Sequence, residues 1–307
     1  MATLLFTHPS GIEHDPGRGH PERPDRLKSV LRALDEPEFK ALERRTPPRA
    51  ELDQISRVHD RRYVEALLAA VPQEGRVAID PDTMMCPESG EAALRAAGAI
   101  IAAVDAIVAG EAQTAFCAVR PPGHHAEAGG GMGFCLFNNV AIGAMHARAA
   151  HGIGRVAIVD FDVHHGNGTQ HTFENEPDVL FASSHQYPFY PGTGAAEERG
   201  VGNVFNAPLA AGAGSTQFRH AWERVILPAL VDFTPELILI SAGFDAHGRD
   251  PLAQLDLGDS DFAWITDRVR EAAEASAQGR IVSTLEGGYD LQALAAGVTL
   301  HVRGLMA

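Results

Sequence analysis

Hydrophobic residues along this chain fall into two kinds of segment, and the first kind is the short continuous apolar run. Such runs are typical of strands that are buried on both faces of a parallel sheet. Glycine, proline and polar residues bound them, and these residues end strands and open loops. The pattern predicts strands at 4–6, 114–119, 156–159, 179–183, 237–241 and 281–285.

The second kind of segment is longer and predicts helices. Pro24 suits the first turn of one helix, and Gly110 ends another. The helices are expected at 24–34, 60–70, 88–109, 138–150, 215–231, 260–277 and 291–304. Because strands and helices alternate without an internal repeat or a low-complexity linker, we expect one domain over residues 1–307. Its architecture should be a three-layer α/β/α fold with a mostly parallel central sheet.

Four clusters of polar residues each follow one of the predicted strands. Carboxyl ends of parallel strands meet at one edge of a sheet, so we expect the four clusters to form one site. They are His124-His125, the row from Asp160 to His165, Phe244-Asp245-Ala246-His247, and Gly287-Gly288-Tyr289.

The row from Asp160 to His165 carries the clearest chemistry. In extended backbone, side chains alternate, so Asp160, Asp162 and His164 should point to one face. A polar turn that caps backbone amides explains one aspartate but not this row. With Asp245, the residues Asp162 and His164 make a plausible catalytic zinc set, with a position left for water or substrate.

A general base and an oxyanion donor have candidates in the other clusters. Two carboxylates already neutralise a divalent ion, so a bound water is less acidified and a separate base is needed. His124 and His125 titrate near working pH and are the candidates. Asp160 could orient one of them. Tyr289, presented after two glycines, could hydrogen-bond a developing oxyanion, whereas His247 is expected to lie outside the ligand set.

Composition narrows the class of protein. The 307 residues are 45% hydrophobic and 21% charged, which is ordinary for a globular protein. The formal net charge of −15 argues against a general nucleic-acid binder. Cys86, Cys117 and Cys135 are too scattered for a disulfide framework or a cysteine zinc site. No apolar run reaches the length of a membrane span, so we expect a cytoplasmic protein without a membrane partner; an oligomer is compatible with this sequence.

Taken together, the chain resembles the histone deacetylase family, in the bacterial class II-like branch that also holds acetylpolyamine amidohydrolases. The resemblance covers nearly the whole chain, because its motifs occur in order from residue 20 to residue 289. The matching segments are His20-Pro21-Glu22-Arg23-Pro24, Arg120 to Ala126, Gly133 to Asn139, Asp160 to Gln170, Pro191-Gly192-Thr193-Gly194, Ser241 to Asp245, and Gly287-Gly288-Tyr289.

The resemblance implies the arginase/deacetylase fold and a role for each matching residue. It implies a zinc ion on Asp162, His164 and Asp245, an acid–base pair in His124 and His125, and Tyr289 as the group that polarises the acyl carbonyl. It also implies a structural K⁺ near Asp160, Asp162, His164, Ser183 and Ser184, held partly by backbone carbonyls. The substrate channel is implied to involve the aromatic walls Phe134 and Tyr190, the floor Gly133, the loop residue Gly287, and Arg26 in a cavity behind the metal.

One departure concerns the histidine pair, because Asn167 stands where the class I pattern has an aspartate. An amide cannot stabilise an imidazolium as a carboxylate does. We therefore expect different basicities, with the carboxylate-backed His124 the more basic. Which histidine is the base and which the acid stays open, because neighbouring titrations couple.

These residues predict zinc-dependent hydrolysis of an acyl group, most simply acetyl, from the amine of an acyl-lysine peptide or protein. A first alternative is an acetylated polyamine or another small acylated amine. Leu252 bears on this choice, since the polyamine-selective animal deacetylase has a glutamate at the matching place. A second alternative is a catalytically silent binding module, whose mark would be a lost ligand, histidine or tyrosine. A binuclear arginase-like enzyme would need a second set of metal carboxylates, which we do not find.

Overall fold

A parallel eight-stranded sheet runs through the computed structural model, which describes residues 2–307. Its strands lie in the spatial order β2-β1-β5-β10-β9-β6-β7-β8. A separate antiparallel pair is formed by β3 and β4. The strands are β1 Thr3–Phe6, β2 Glu43–Arg45, β3 Val77–Ala78, β4 Met84–Met85, β5 Thr114–Cys117, β6 Val156–Asp160, β7 Val179–Gln186, β8 Val204–Leu209, β9 Leu237–Ala242 and β10 Ile281–Leu285.

Helices connect these strands and cover both faces of the sheet. None of the helices in residues 2–307 has the length and apolar character that crossing a membrane requires. A short 3-10 helix lies at Pro37–Phe39, and a π-helical segment at Trp222–Ile226 joins two of the α-helices. The α-helices are α1 Ser10–Glu13, α2 Pro24–Ala33, α3 Leu52–Ile55, α4 Arg61–Ala69, α5 Ser89–Val108, α6 Asn139–His151, α7 Asn167–Phe173, α8 Ser215–Ala221, α9 Leu227–Phe233, α10 Asp259–Ser276 and α11 Leu291–Met306.

The central strands are buried on both faces, because consecutive side chains enter different apolar layers. In β6, Ala157 and Val159 pack with α2, α10 and α11 on one side. Val156 and Ile158 pack with α5 and α6 on the other side. The apolar runs are thus continuous because these strands are buried on both faces. The predicted three-layer α/β/α fold with a parallel sheet is confirmed.

The differences from the predicted elements lie mostly at the sheet edges. The edge strands β2 and β8 were not predicted, and β7 continues three residues past its predicted end to Gln186. β8 contains Pro208, which cannot donate to a ladder and is tolerated at an edge. β2 is the segment Glu43-Arg44-Arg45, whose charged side chains hide its strand character. The predicted helix at 215–231 is two helices separated by the π segment.

Candidate active site

The polar clusters predicted from the sequence follow four neighbouring strands. β5, β10, β9 and β6 lie side by side in that order, and each pair is parallel. His124-His125 comes after β5, Tyr289 after β10, Asp245 after β9, and the segment Asp162 to His164 after β6. The structure therefore brings all four clusters to one edge of the sheet.

Asp162, His164 and Asp245 form a buried group, called the deep cluster from here on. Their ligand atoms all lie within 4.8 Å of one another. His164 Nδ1 is 3.1 Å from Asp162 Oδ1 and 3.2 Å from Asp245 Oδ2. Ligands at about 2.0–2.2 Å from a tetrahedral zinc ion lie roughly 3.3 Å from one another, so these separations suit one ion.

The strand β6 ends at Asp160, so Asp162 and His164 belong to the loop that follows it. The single extended row expected from the sequence is therefore wrong beyond Asp160. Hydrogen bonds fix the loop instead, since the N–H of Asp162 donates to Asp160 Oδ1 at 3.1 Å. The N–H of His164 likewise donates to Asp162 Oδ1 at 2.9 Å. These local bonds hold the two ligands together without a continued strand.

One oxygen of the deep cluster has no hydrogen-bond partner within residues 2–307. The N–H of Gly287 donates to Asp162 Oδ2 at 2.8 Å, and the N–H of Val163 donates to Asp245 Oδ1 at 2.9 Å. Asp245 Oδ2 is buried and accepts no such bond, and His164 Nδ1 beside it is hydrogen-bonded to Asp162 Oδ1 instead. A buried oxygen without a partner is costly, and a cation among the three side chains removes that cost. The donor set therefore fits a zinc ion.

The electric field at the deep cluster also favours a positive charge. Burial opposes a charge on His164, but the Asp162 and Asp245 carboxylates outweigh burial and raise its pKa to about 10. A group that holds a proton so firmly sits in a strongly negative potential. The same potential stabilises a divalent cation.

The two histidines predicted as an acid–base pair lie beside the deep cluster with different partners. His124 Nδ1 is 2.9 Å from Asp160 Oδ2, and His125 Nδ1 is 2.8 Å from Asn167 Oδ1. Burial opposes the charged form of His124, but Asp160 and then Asp162 raise its pKa to about 10. Burial and the neighbouring His124 hold the pKa of His125 well below its usual range. The two rings therefore have the different partners, a carboxylate and an amide, on which the expected difference in basicity depends.

Tyr289 reaches the same site from the loop after β10, and Arg26 lies against its ring. Tyr289 is 7% exposed, and its ring contacts that of Phe134 edge to face at 5.9 Å. The guanidinium carbon of Arg26 is 4.9 Å from the centroid of the Tyr289 ring. Burial raises the pKa of Tyr289 well above its ordinary value, so the phenol keeps its proton. Composition alone would place Arg26 on a helix surface, but it is fully buried, as the resemblance implied.

Comparison with known proteins places this chain. The model of the histone deacetylase domain matches residues 20–305. The chain belongs to the histone deacetylase family. A histone deacetylase-like amidohydrolase of Pseudomonas aeruginosa is 43% identical over 88% of this chain and 73% of its own. A human relative, the polyamine deacetylase HDAC10, is 36% identical over 93% of this chain and 44% of its own. The crystal structure of the HDA15 HD domain superimposes with a TM-score of 0.94 and 34% identity, over 99% of this chain and 88% of that one.

Membership in the histone deacetylase family identifies the protein as a deacetylase, a hydrolase that acts on amide bonds. Its substrates belong to the acylated amines, a class that includes acylated lysine. The family also implies a zinc ion, and the deep cluster is the buried group in residues 2–307 that could hold it.

Aromatic side chains of this deacetylase surround the approach to the deep cluster. Phe134 packs against Tyr289 on one side, and Tyr190 lies 5.2 Å from the His125 ring on the other, measured between centroids. A Cβ on Gly133 would lie 2.5 Å from His125 Cδ2 and 3.0 Å from the Tyr190 hydroxyl, so glycine leaves the room that these two side chains need. Phe189 was not predicted, yet its ring stacks on His164 at 5.4 Å. The only signal in the sequence is that three of the four residues from Tyr187 to Tyr190 are aromatic.

The predicted cation ligands and loop residues have the following contacts in the structure. Asp160 and Ser183 are register partners on β6 and β7. The Ser183 hydroxyl is 2.8 Å from His185 Nδ1, and the Ser184 hydroxyl accepts from Trp222 Nε1 at 2.9 Å. Gly287 supplies the N–H that binds Asp162, whereas Leu252 is half-buried in the loop after β9.

Two buried glutamates at the site had no predicted role. Glu286 Oε2 accepts from the N–H groups of Gly123 at 2.6 Å and His124 at 3.2 Å, so it fixes the turn that presents the histidine pair. Glu22 binds Arg26 Nη1 at 2.9 Å and Arg120 Nη2 at 2.7 Å. Glu22 lies in the matching segment from His20 to Pro24, and Glu286 directly precedes Gly287. Only the three-dimensional contacts show what either side chain does.

Proposed function

We propose that this deacetylase removes acetyl groups from acyl-lysine substrates and uses one zinc ion at the deep cluster. The observation that carries the proposal is the unpartnered Asp245 Oδ2 inside a set of three ligands, next to two histidines with different partners. When bound there, zinc supplies Lewis acidity that polarises the acyl carbonyl and makes water a better nucleophile. Asp162, His164 and Asp245 would hold it.

His125 acts as the general base. Its Nδ1–H donates to the Asn167 amide oxygen, which leaves the Nε2 lone pair free to accept a proton from the attacking water. The low pKa of His125 keeps that lone pair available at neutral pH. The same nitrogen can then return the proton to the leaving amine.

His124 stays charged during the reaction. Its Nδ1–H donates to the Asp160 carboxylate, which stabilises the imidazolium form. The resulting positive charge lies one ring away from His125, with 4.0 Å between the centroids. It stabilises the negative charge that develops on the substrate, without a second proton transfer.

Tyr289 donates its phenolic proton in a hydrogen bond to the acyl oxygen as that oxygen becomes negative. Burial keeps the phenol protonated, and the Arg26 charge near the ring supports a negative oxygen in front of it. Preorganised donors of this kind act only where charge develops, which is why they accelerate the chemical step.

The channel favours an extended alkyl stem with one acylated end. Phe134 contacts the Tyr289 ring and Tyr190 contacts the His125 ring, so a lysine stem that reaches these two residues would lie against apolar ring surface. Leu252 adds apolar surface and no charge. An internal ammonium of a polyamine would find no carboxylate partner at this position.

A K⁺ ion near Asp160 is part of the proposal. The hydroxyls of Ser183 and Ser184 already bond to His185 and Trp222, so these serines would contribute backbone carbonyls. A catalytically silent binding module is the less favoured alternative. Every residue proposed for the reaction has the side chain that its role needs.

Turnover of two substrates tests this function. The purified protein should hydrolyse an acetyl-lysine peptide with a higher kcat/KM than N-acetylated spermidine, and a chelator should abolish both reactions until zinc is restored. Leu252→Glu should shift the ratio toward spermidine. Val231→Glu, at an α9 position that is 64% exposed, is the matched control for added charge. A wild-type ratio that already favours spermidine would overturn the lysine assignment, and activity that survives chelation would overturn the zinc assignment.

A further inference from the structure

Asp250 lies in the loop between β9 and α10, five residues after Asp245, and the mechanism above does not use it. Its side chain is buried, with 7% of the residue exposed. A carboxylate in such a place needs hydrogen bonds to compensate for lost water. All of its partners are backbone N–H groups, and they belong to two different loops.

The two carboxylate oxygens of Asp250 divide these partners between them. Oδ1 accepts from the N–H of Leu252 at 3.0 Å. Oδ2 accepts from the N–H of Tyr289 at 2.7 Å and from that of Asp290 at 3.3 Å. One side chain therefore connects the channel loop that carries Leu252 to the loop that presents Tyr289.

The loop before Tyr289 has little stiffness of its own. Gly287 and Gly288 precede the tyrosine, and Gly288 has φ +121°, a conformation that favours glycine. Hydrogen bonds from outside must therefore fix this segment. Arg26 binds its carbonyls, since Nε donates to Gly288 O at 2.6 Å and Nη2 donates to Glu286 O. Asp250 binds the amides on the other side.

We propose that Asp250 is a positioning residue that sets the place of the Tyr289 phenol relative to the channel. The proposal rests on the proposed function, in which that phenol donates to the acyl oxygen. A misplacement of about 1 Å can cost on the order of 10²-fold in rate, so loss of this contact should be visible in turnover.

Asp250→Asn is the sharpest substitution because it keeps the volume of the side chain. Both oxygens of Asp250 accept from N–H groups, so an amide must direct its NH₂ group at one of those donors. Asp290→Asn is the matched control. Asp290 caps α11 through the N–H groups of Gln292 at 3.1 Å and Ala293 at 2.8 Å. Its Oδ1 also accepts from Arg249 Nη2 at 3.0 Å, so the control alters another contact between the same two loops, but its carboxylate does not contact the Tyr289 backbone N–H.

The test is a double-mutant cycle between Asp250→Asn and Tyr289→Phe. Asp250→Asn should lower kcat by roughly 10- to 100-fold in the wild-type background with KM changed by less than about threefold. In the Tyr289→Phe background it should change kcat by less than about threefold, because the group it positions is already absent. Asp290→Asn should leave kcat unchanged in both backgrounds.

A spectroscopic measurement removes the dependence on turnover. The chain has four tyrosines, so the ring signals of ¹³C-tyrosine-labelled protein are few, and the Tyr289 signal is the one missing from Tyr289→Phe. This signal should shift or broaden in Asp250→Asn and stay in place in Asp290→Asn. If Asp250→Asn does not fold, Asp250→Ser, which leaves room for a water to accept, replaces it in both measurements.

The outcomes separate the two proposals. If Tyr289→Phe itself keeps full turnover, the proposed role of the phenol is wrong, and an unmoved Tyr289 signal then also rejects positioning by Asp250. If Tyr289→Phe is impaired but Asp250→Asn loses the same factor in both backgrounds, Asp250 is only structural and the inference is overturned. An unmoved Tyr289 signal with unchanged kcat overturns it as well.

Discussion

Two groups of histidine and aspartate side chains in residues 2–307 bring their nitrogen and oxygen atoms within 4.8 Å of one another. One is the deep cluster at the carboxyl edge of the sheet. The other, called the surface cluster here, consists of Asp105 on α5 with His146 and His151 on α6. Both have ligand types that zinc accepts. Their hydrogen bonds nevertheless give them different chemistry.

In the surface cluster every ligand atom already has a partner. The Nε2 atoms of His146 and His151 are each 2.6 Å from Asp105 Oδ1, which is a hydrogen-bond separation. His146 Nδ1 is 3.0 Å from Arg57 Nη1, and a guanidinium can only donate. Nδ1 must therefore accept, which leaves the His146 proton on Nε2, where a metal would need the lone pair.

The deep cluster also contains a histidine–aspartate hydrogen bond, from His164 Nδ1 to Asp162 Oδ1 at 3.1 Å, but one of its ligand atoms stays free. Backbone N–H groups donate to both oxygens of Asp162 and to Asp245 Oδ1, while Asp245 Oδ2 is left without a hydrogen-bond partner in the buried site. The comparison teaches that closeness of ligand types does not define a metal site. What distinguishes the two clusters is whether the surrounding hydrogen bonds leave acceptors free for a cation.

Removing one carboxylate from each cluster should give the largest difference between them, in both zinc content and turnover. Asp245→Ala should lose zinc and reduce turnover by at least about 10³-fold, because it removes a ligand and with it the Lewis acid. Asp105→Ala should keep one zinc per chain and near wild-type turnover. Metal analysis by mass spectrometry together with kcat measures both variants.

A result that reverses the two variants would break the comparison. If Asp105→Ala lost the metal, the surface cluster would be the zinc site and the hydrogen-bond criterion would be wrong. Full zinc occupancy in Asp245→Ala would equally remove Asp245 from the ligand set.

The histidines of the two regions give the next largest effect. His124→Ala and His125→Ala should each lower kcat by about 10²–10⁴-fold. The double variant should lose much less than the product of the two, because the residues act as a unit. His151→Ala in the surface cluster is the control and should keep full turnover. Multiplicative losses for His124 and His125 would mean that the two rings act independently.

Much of this architecture could be predicted because its causes are local. A continuous apolar run such as Val156 to Val159 must be buried on both sides, and the residues after it must lie at the sheet edge. Parallel topology then brings together side chains that are far apart in sequence, such as His124 and Asp245. The place of the site follows from these two rules.

Contacts between distant loops could not be predicted in the same way. Asp250 binds the N–H of Tyr289 across a sequence separation of 39 residues, and nothing in the sequence near Asp250 signals that partner. The burial of Arg26 could not be predicted from its amphipathic helix either. It depends on Glu22, which binds both Arg26 and Arg120. β8 was missed because Pro208 weakens a strand pattern that only the neighbouring β7 completes.

The smallest expected effect concerns stability and sharpens the comparison at the surface cluster. Partial burial raises the pKa of Asp105, but hydrogen bonds from His151 and His146 outweigh it and hold the pKa below its usual 3.8. A carboxyl group with a lowered pKa in the folded state stabilises that state above the unfolded value, and this contribution disappears as pH falls through the folded value. The Asp105 side chain is 50% exposed, so solvent screens the interaction.

Asp105→Asn should therefore lower the free energy of unfolding by at most about 1 kcal/mol at pH 7. The difference between wild type and variant should persist down to about pH 5, shrink below about pH 4 as the wild-type carboxylate is protonated, and become smaller in high salt. Urea unfolding at several pH values and salt concentrations measures this difference in the free energy of unfolding. Glu271→Gln, on the exposed face of α10, is the control. A loss of several kcal/mol that is insensitive to salt would show that Asp105 behaves like a buried charge. The two clusters would then not differ in how strongly solvent screens their charges. The free acceptor that the deep cluster has and the surface cluster lacks would be the one remaining difference.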